Sequence, residues 1–215
     1  MHDLKKRQAR LNGKHLSQTQ LILDRLRVRD ETFWQMNAAY VLGMLHKFAA
    51  RDLAQFLDIF DREILDQMGE PLALQKCDDL FFERIVGILP MFVPQMNRGQ
   101  IVRSLEVITK KELGSQRLFD NYLLMMVEKQ ILSYSVNQYI RVVQTMADRN
   151  FIEDFVFWDK FAFRYVFGDP NALGGRRSFE PEEARAIWDA YVYVRIRCPS
   201  LDIGYVLRHL EQFME

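Results

Sequence analysis

Residues 98–108 read RGQIVRSLEVI, and residues 136–146 read VNQYIRVVQTM. Aligned on Ile101 and Tyr139, they set Gln100 over Gln138, Arg103 over Arg141, Leu105 over Val143 and Ile108 over Met146. Two more segments fit the same frame: ARDLAQFLDIF at 50–60, anchored on Leu53, and PEEARAIWDAY at 181–191, anchored on Ala184. The anchors Leu53, Ile101, Tyr139 and Ala184 advance in steps of 48, 38 and 45. Positions three, four and seven beyond each anchor are apolar except for Ser104, which is the spacing of one helix face. Leu57, Leu105, Val143 and Trp188 are therefore expected at equivalent buried positions.

A second ladder precedes each of these segments. Phe33-Trp34, Phe81-Phe82, Leu118-Phe119 and Phe157-Trp158 open apolar stretches at 33–48, 81–92, 118–132 and 157–167, in steps of 48, 37 and 39. The two ladders lengthen together at the first step, where the connector around MGEPLALQKC intervenes. Their divergence at the last step lies in the loop GDPNALGGRRSF. Coordinated spacing of this kind defines a two-helix unit repeated four times. One helix pair cannot bury its own apolar stripe, whereas stacked pairs bury it against their neighbours. The expected fold is all-α: a right-handed α-solenoid of about four helix-turn-helix repeats with single capping helices. The caps are expected near SQTQLILDRLRV and in LDIGYVLRHLEQFME. The expected organisation is a basic N-terminal arm over 1–16 and a single α-helical repeat domain over 17–215.

Boundary chemistry agrees with this pattern. Ser135 and Asn137 can start the third inner helix, and Pro181 followed by Glu182-Glu183 suits the first turn of the fourth. Gly168-Asp169-Pro170 should end an outer helix, and Pro90 should shorten or kink another. VYVRIRC is β-prone in isolation, but it continues the register of IWDAY.

Composition places the chain among ordinary globular proteins, with 49% hydrophobic and 27% charged residues in 215. Two cysteines, Cys77 and Cys198, form no CxxC pair and no disulfide framework, which suits a reducing compartment. Apolar runs fall short of the roughly 18 residues that a spanning helix needs. Lys+Arg and Asp+Glu are 29 each, so the formal net charge is zero, which argues against attachment to nucleic acid by bulk charge. The charges are nevertheless segregated. Residues 1–30 carry eight basic and three acidic side chains, residues 47–83 four basic and nine acidic, and residues 98–117 five basic and two acidic. The blocks can pair within the molecule or address different partners.

Catalytic patterns are missing from the sequence. Neither GxGxxG nor GxxxxGK[ST] occurs, and His2, His15, His46 and His209 form no HxxxH or HExxH set. No metal, cofactor or catalytic residue is expected. The residues expected to bind RNA phosphates or an acidic partner are Lys5, Lys6, Arg7 and Arg10 of the arm, Arg98, Arg103, Lys110, Lys111 and Arg141 on the inner helices, and Arg176 and Arg177 of a Gly-Gly-Arg-Arg loop. The arm is basic and acid-poor and lacks the apolar centre of a secretory signal.

The unit length and segments such as MNRGQIVRSLEVITKKEL and YSVNQYIRVVQTMADRNF resemble organellar helical-repeat proteins, namely the octotricopeptide and heptatricopeptide repeats and the repeats of FAST kinase-like proteins. The resemblance spans residues of about 30–195 and lacks the RAP domain of many relatives. It implies mitochondrial or plastid RNA metabolism, often within ribosomes or RNA-processing complexes, and no cofactor. The expectation is a non-enzymatic adaptor or scaffold subunit in the mitochondrial matrix, part of a ribonucleoprotein such as a mitoribosome or RNA-processing complex. Its partners would be other protein subunits and RNA phosphates. The alternative is a purely protein-binding subunit of a respiratory or ATP synthase complex.

Overall fold

Short polar side chains stand where helices must begin. The Asp30 and Asp78 carboxylates accept the backbone N–H of Phe33 at 3.0 Å and of Phe81 at 3.1 Å. Such caps satisfy donors that the first turn leaves open. The computed structural model describes residues 13–66, 68–114, 118–149, 155–168 and 178–214, and side chains within these ranges apart from 120–122 and 155–157. Among the described residues there are ten α-helices and no strand, only an isolated bridge between Leu65 and Pro71. The chain forms two compact units, Met1–Leu123 and Leu124–Glu215.

The first unit contains α1 (Gly13–Arg25), α2 (Glu31–Gly43), α3 (Ala50–Asp61), α4 (Asp79–Ile88) and α5 (Arg98–Lys110). Helix α3 packs on both α1 and α5, and α2 packs on α4. Trp34, Phe60, Phe81 and Phe82 are buried in sequence along the core, with ring centroids 5.7, 4.4 and 5.6 Å apart. Trp34 of the first doublet and both residues of the second are therefore core residues, each removing a large apolar surface from water. Helix α4 stops at Ile88, and Pro90 and Pro94 lie in the two 3₁₀ turns that follow. Proline lacks the N–H that a continuing α-helix would use. At Gly13 the backbone of α1 lies close to Phe48: a β-carbon there would meet the Phe48 ring at 2.7 Å.

The second unit contains α6 (Met125–Gln130), α7 (Val136–Asp148), α8 (Phe155–Ala162), α9 (Pro181–Arg197) and α10 (Gly204–Glu211). Helix α9 packs on α7 and on α10. Helix α8 runs into a π-helical turn, Phe163–Phe167, which ends at Gly168 with φ +79°. A β-carbon is disfavoured at that angle, which explains the glycine. VYVRIRC stays helical to Arg197 because Ile187, Tyr191 and Val194 lie on one buried face of α9. Tertiary burial overrides local β preference there. In the core, the Tyr139 ring stacks on Tyr165 with centroids 3.7 Å apart, and the Tyr139 and Tyr191 hydroxyls are 2.6 Å apart. Phe167 lies 4.2 Å from the His209 ring and holds α10 in place.

Three of the four residues expected at equivalent buried positions, Leu57, Leu105 and Val143, are fully buried. Trp188, the fourth, is only half-buried. Ser104, the polar exception in the pattern, is fully buried against Met96, 4.0 Å from its sulfur.

Candidate functional surfaces

The side chain one residue before each anchor has a shared local task. Asn97 N–H donates to Gln100 Oε1 at 2.9 Å, and Gln100 N–H donates to Asn97 Oδ1 at 3.1 Å. Ser135 and Gln138 exchange the same pair at 3.2 and 3.3 Å. These are reciprocal capping boxes. Ala49 and Glu180 donate their N–H in the same way to Asp52 at 3.2 Å and Glu183 at 3.4 Å. The spacing N-x-x-Q and S-x-x-Q, visible in the sequence, thus marks the starts of these two helices.

The cations expected to bind partners have different surroundings. Lys5, Lys6, Arg7, Arg10, Arg176 and Arg177 lie outside the described residues. Arg98 is exposed in the first turn of α5. Arg103 is half-buried, donates to Asp58, and reaches Glu106 at 3.1 Å. Its guanidinium is pushed above its usual range: burial acts against this, and the Asp58 and Glu106 charges outweigh it. Lys110 is 3.2 Å from Asp61. Lys111 sits over the Phe82 ring, 4.9 Å from its centre. Arg141 is half-buried on α7, in the second unit, whereas Arg103 belongs to the first. The structure thus brings Arg103 and Lys110 onto α3 carboxylates.

These contacts belong to a longer relay. Lys76, with a side chain 2% exposed, donates to Asp24 and to the Ile59 carbonyl at 2.9 Å, and lies 4.7 Å from the Trp34 ring centre. Asp24 also accepts from Arg62 at 3.0 Å, and Arg62 reaches Asp58 at 2.6 Å. The order Lys76, Asp24, Arg62, Asp58, Arg103, Glu106 runs across α1, α3 and α5. From the acidic 47–83 block, Asp58 and Asp61 thus meet cations of the same unit. Lys76 gave no signal in the sequence, because nothing local distinguishes it from a surface lysine.

Neither cysteine is poised for nucleophilic work. Burial pushes the half-buried Cys77 thiol up to about 12, with Lys111 acting weakly in the opposite direction. Burial also raises Cys198. Burial first, and the neighbouring Tyr191 next, holds Tyr139 well above its ordinary range, and burial raises Tyr191. Above pH ~9 an unfolded chain gives up these protons before the folded one does, so unfolding is favoured as pH rises. These groups should leave stability unchanged between pH ~7 and ~8.5 and lower it progressively between pH ~9 and ~12. Urea midpoints at pH 8 and 10.5, with tyrosinate absorbance followed through unfolding, will check this. A midpoint unchanged at pH 10.5 would contradict it. Iodoacetamide at pH 8 should label Cys77 at least about thirtyfold more slowly in the folded than in the urea-unfolded chain, since lost thiolate outweighs gained nucleophilicity.

The second unit presents an open groove of about 530 Å³ between α9 and α10. It is lined by Trp188, Val192, Arg195 and Ile196 of α9 and by Gly204, Leu207, Arg208 and Glu211 of α10. Ile196 is 73% exposed. The Trp188 indole N–H is shielded from solvent and has no acceptor among the described residues. Arg185 lies over the Trp188 ring, 5.5 Å from its centre, and 3.6 Å from Asp189.

Among the described residues, no group of three or more His, Cys, Asp or Glu side chains is gathered as a metal site would require. No described helix is long and apolar enough to cross a membrane. No protein-family model matches the chain, and a search of curated proteins finds no significant match.

Proposed function

We propose that the protein is a non-enzymatic helical-repeat adaptor: a right-handed α-solenoid of about four two-helix repeats that holds protein subunits together in a mitochondrial, RNA-containing assembly. The observation that carries this reading is the repeated start of α3, α5, α7 and α9. Each has its N3 side chain on the N-cap N–H, at 3.2, 2.9, 3.2 and 3.4 Å. Each then buries positions at the same register, and α1, α3 and α5 form a row beside the α2–α4 pair. Stacked helix pairs offer extended ridges and loops to partners, while their apolar faces are consumed by stacking. RNA contact is assigned to Arg98, Arg141, the arm cations Lys5, Lys6, Arg7 and Arg10, and the loop cations Arg176 and Arg177.

The pairing of Arg103 with Asp58 and of Lys110 with Asp61 favours a second reading, in which the chain binds protein alone, as a subunit of a respiratory or ATP synthase complex. Low net charge implies that the isolated chain binds RNA weakly and with strong salt dependence. Affinity purification of the native protein, with and without nuclease, separates the two readings. Under the first, charge reversal at Arg98 and Arg141 together should lower RNA recovery severalfold, and nuclease should release part of the assembly. Unchanged RNA recovery, with protein partners retained after nuclease, would move the assignment to the second.

A further inference from the structure

We propose that the α9–α10 groove is a docking site for one amphipathic helix of another protein subunit, with carboxylates flanking the apolar stripe of that helix. The proposal rests on the repeat reading, because it compares positions across helices of equal register. Leu57 on α3, Leu105 on α5 and Val143 on α7 stand four residues past their anchors and are fully buried. Helix α3 has α5 beside it, and α7 has α9 beside it. Trp188 holds the same position on α9, and α10 covers it only in part. The same position is thus only partly covered on α9, and Val192 and Ile196 continue the open surface. A shielded indole N–H without an acceptor is an unfavourable state in a folded chain. An added helix can supply the missing apolar cover.

Charge selects the chemistry of the occupant. Two of the three charged side chains lining the groove, Arg195 on α9 and Arg208 on α10, are cations with no ion-pair partner among the described residues. Arg185 and Arg197 nearby are already opposite Asp189 and Asp148. Carboxylates on both edges of a docked helix would meet Arg195 and Arg208, and such rim charges act chiefly on specificity and capture. The exposed apolar end of the first helix of a second copy is a poor occupant. The exposed end of α1 carries Ile22 and Leu26, 56% and 70% exposed, but with Arg25 and Arg27 beside them. Those cations would oppose Arg195 and Arg208. Helix-in-groove recognition needs only anchors at i, i+3, i+4 and i+7.

The probes are two synthetic capped peptides of about four turns with the same Leu stripe, one flanked by Glu and one by Lys. Trp34 and Trp158 are 0% and 1% exposed, so acrylamide quenching of the full chain reports mainly on Trp188. The Glu peptide should bind saturably and protect Trp188 from quenching, and the Lys peptide should bind at least about tenfold more weakly. Arg195→Glu with Arg208→Glu should invert that preference, and Ile196→Asp should abolish binding with unchanged circular dichroism. No saturable binding of the Glu peptide, equal binding of both peptides, or insensitivity to the reversal would overturn the proposal. Self-association of the chain that Ile196→Asp abolishes would also overturn it and make a second copy the occupant. None of these outcomes depends on RNA, so failure here leaves the nuclease experiment free to succeed or fail by itself.

Discussion

Asp24→Ala is expected to destabilise the first unit by about 3–5 kcal/mol, because it strands a buried lysine. The Lys76 side chain is 2% exposed and that of Asp24 10%, so water cannot replace the lost carboxylate. The Ile59 carbonyl at 2.9 Å and the Trp34 ring would remain, but neither carries a full negative charge. Arg62 would keep Asp58 as a partner. Replacing both members, Asp24→Leu with Lys76→Met, should recover most of the loss, since apolar isosteres need no solvation. Urea unfolding of Asp24→Leu, Lys76→Met and the double variant, followed by circular dichroism, closes the cycle. A cost for Asp24→Ala below about 1 kcal/mol would mean that Lys76 reaches solvent.

The second large effect concerns the apolar register. Leu105→Ala should cost about 2–5 kcal/mol, the range for a fully buried leucine whose cavity closes only in part. Trp188→Ala removes a much larger side chain from the same register and should nevertheless cost less, because its ring is half-buried and its N–H already lacks an acceptor. Equilibrium unfolding of both variants decides the ranking. A larger loss for Trp188→Ala would place that ring in the core and remove the open groove.

Helical class, helix number and most boundaries were legible because they depend on spacing along the chain. The apolar faces around Leu57, Leu105 and Val143, the stop before Pro90, the Ser135 cap and the glycine at 168 each follow from residues within one or two turns of each other. Trp188 was legible as an apolar position on the face, but not as the one only partly covered, since its neighbour α10 is set by contacts such as Phe167 with His209. The cations were legible as a pattern and not as an environment. Arg103 and Arg141 share a register, yet the side chain that meets Arg103 is Asp58, 45 residues earlier, and periodicity carries no information about such a partner. Gln100 and Gln138 show the opposite case: their capping spacing, three residues past Asn97 and Ser135, is wholly local and is present in the sequence.

The relay from Lys76 through Asp24, Arg62, Asp58 and Arg103 to Glu106 also bears on how the first unit finds its order during folding. The apolar faces of α3 and α5 share one spacing, so apolar contact alone would let helices pair out of turn. The charges work as addresses. Asp24 on α1 matches the cation at the end of α3, and Asp58 on α3 matches the cation in the middle of α5, each at its own height along the helix. A skipped neighbour or a slip of one turn would leave like charges facing or a carboxylate stranded, which is costly wherever water is scarce. A chain of similar amphipathic helices thereby spells out which neighbour comes next.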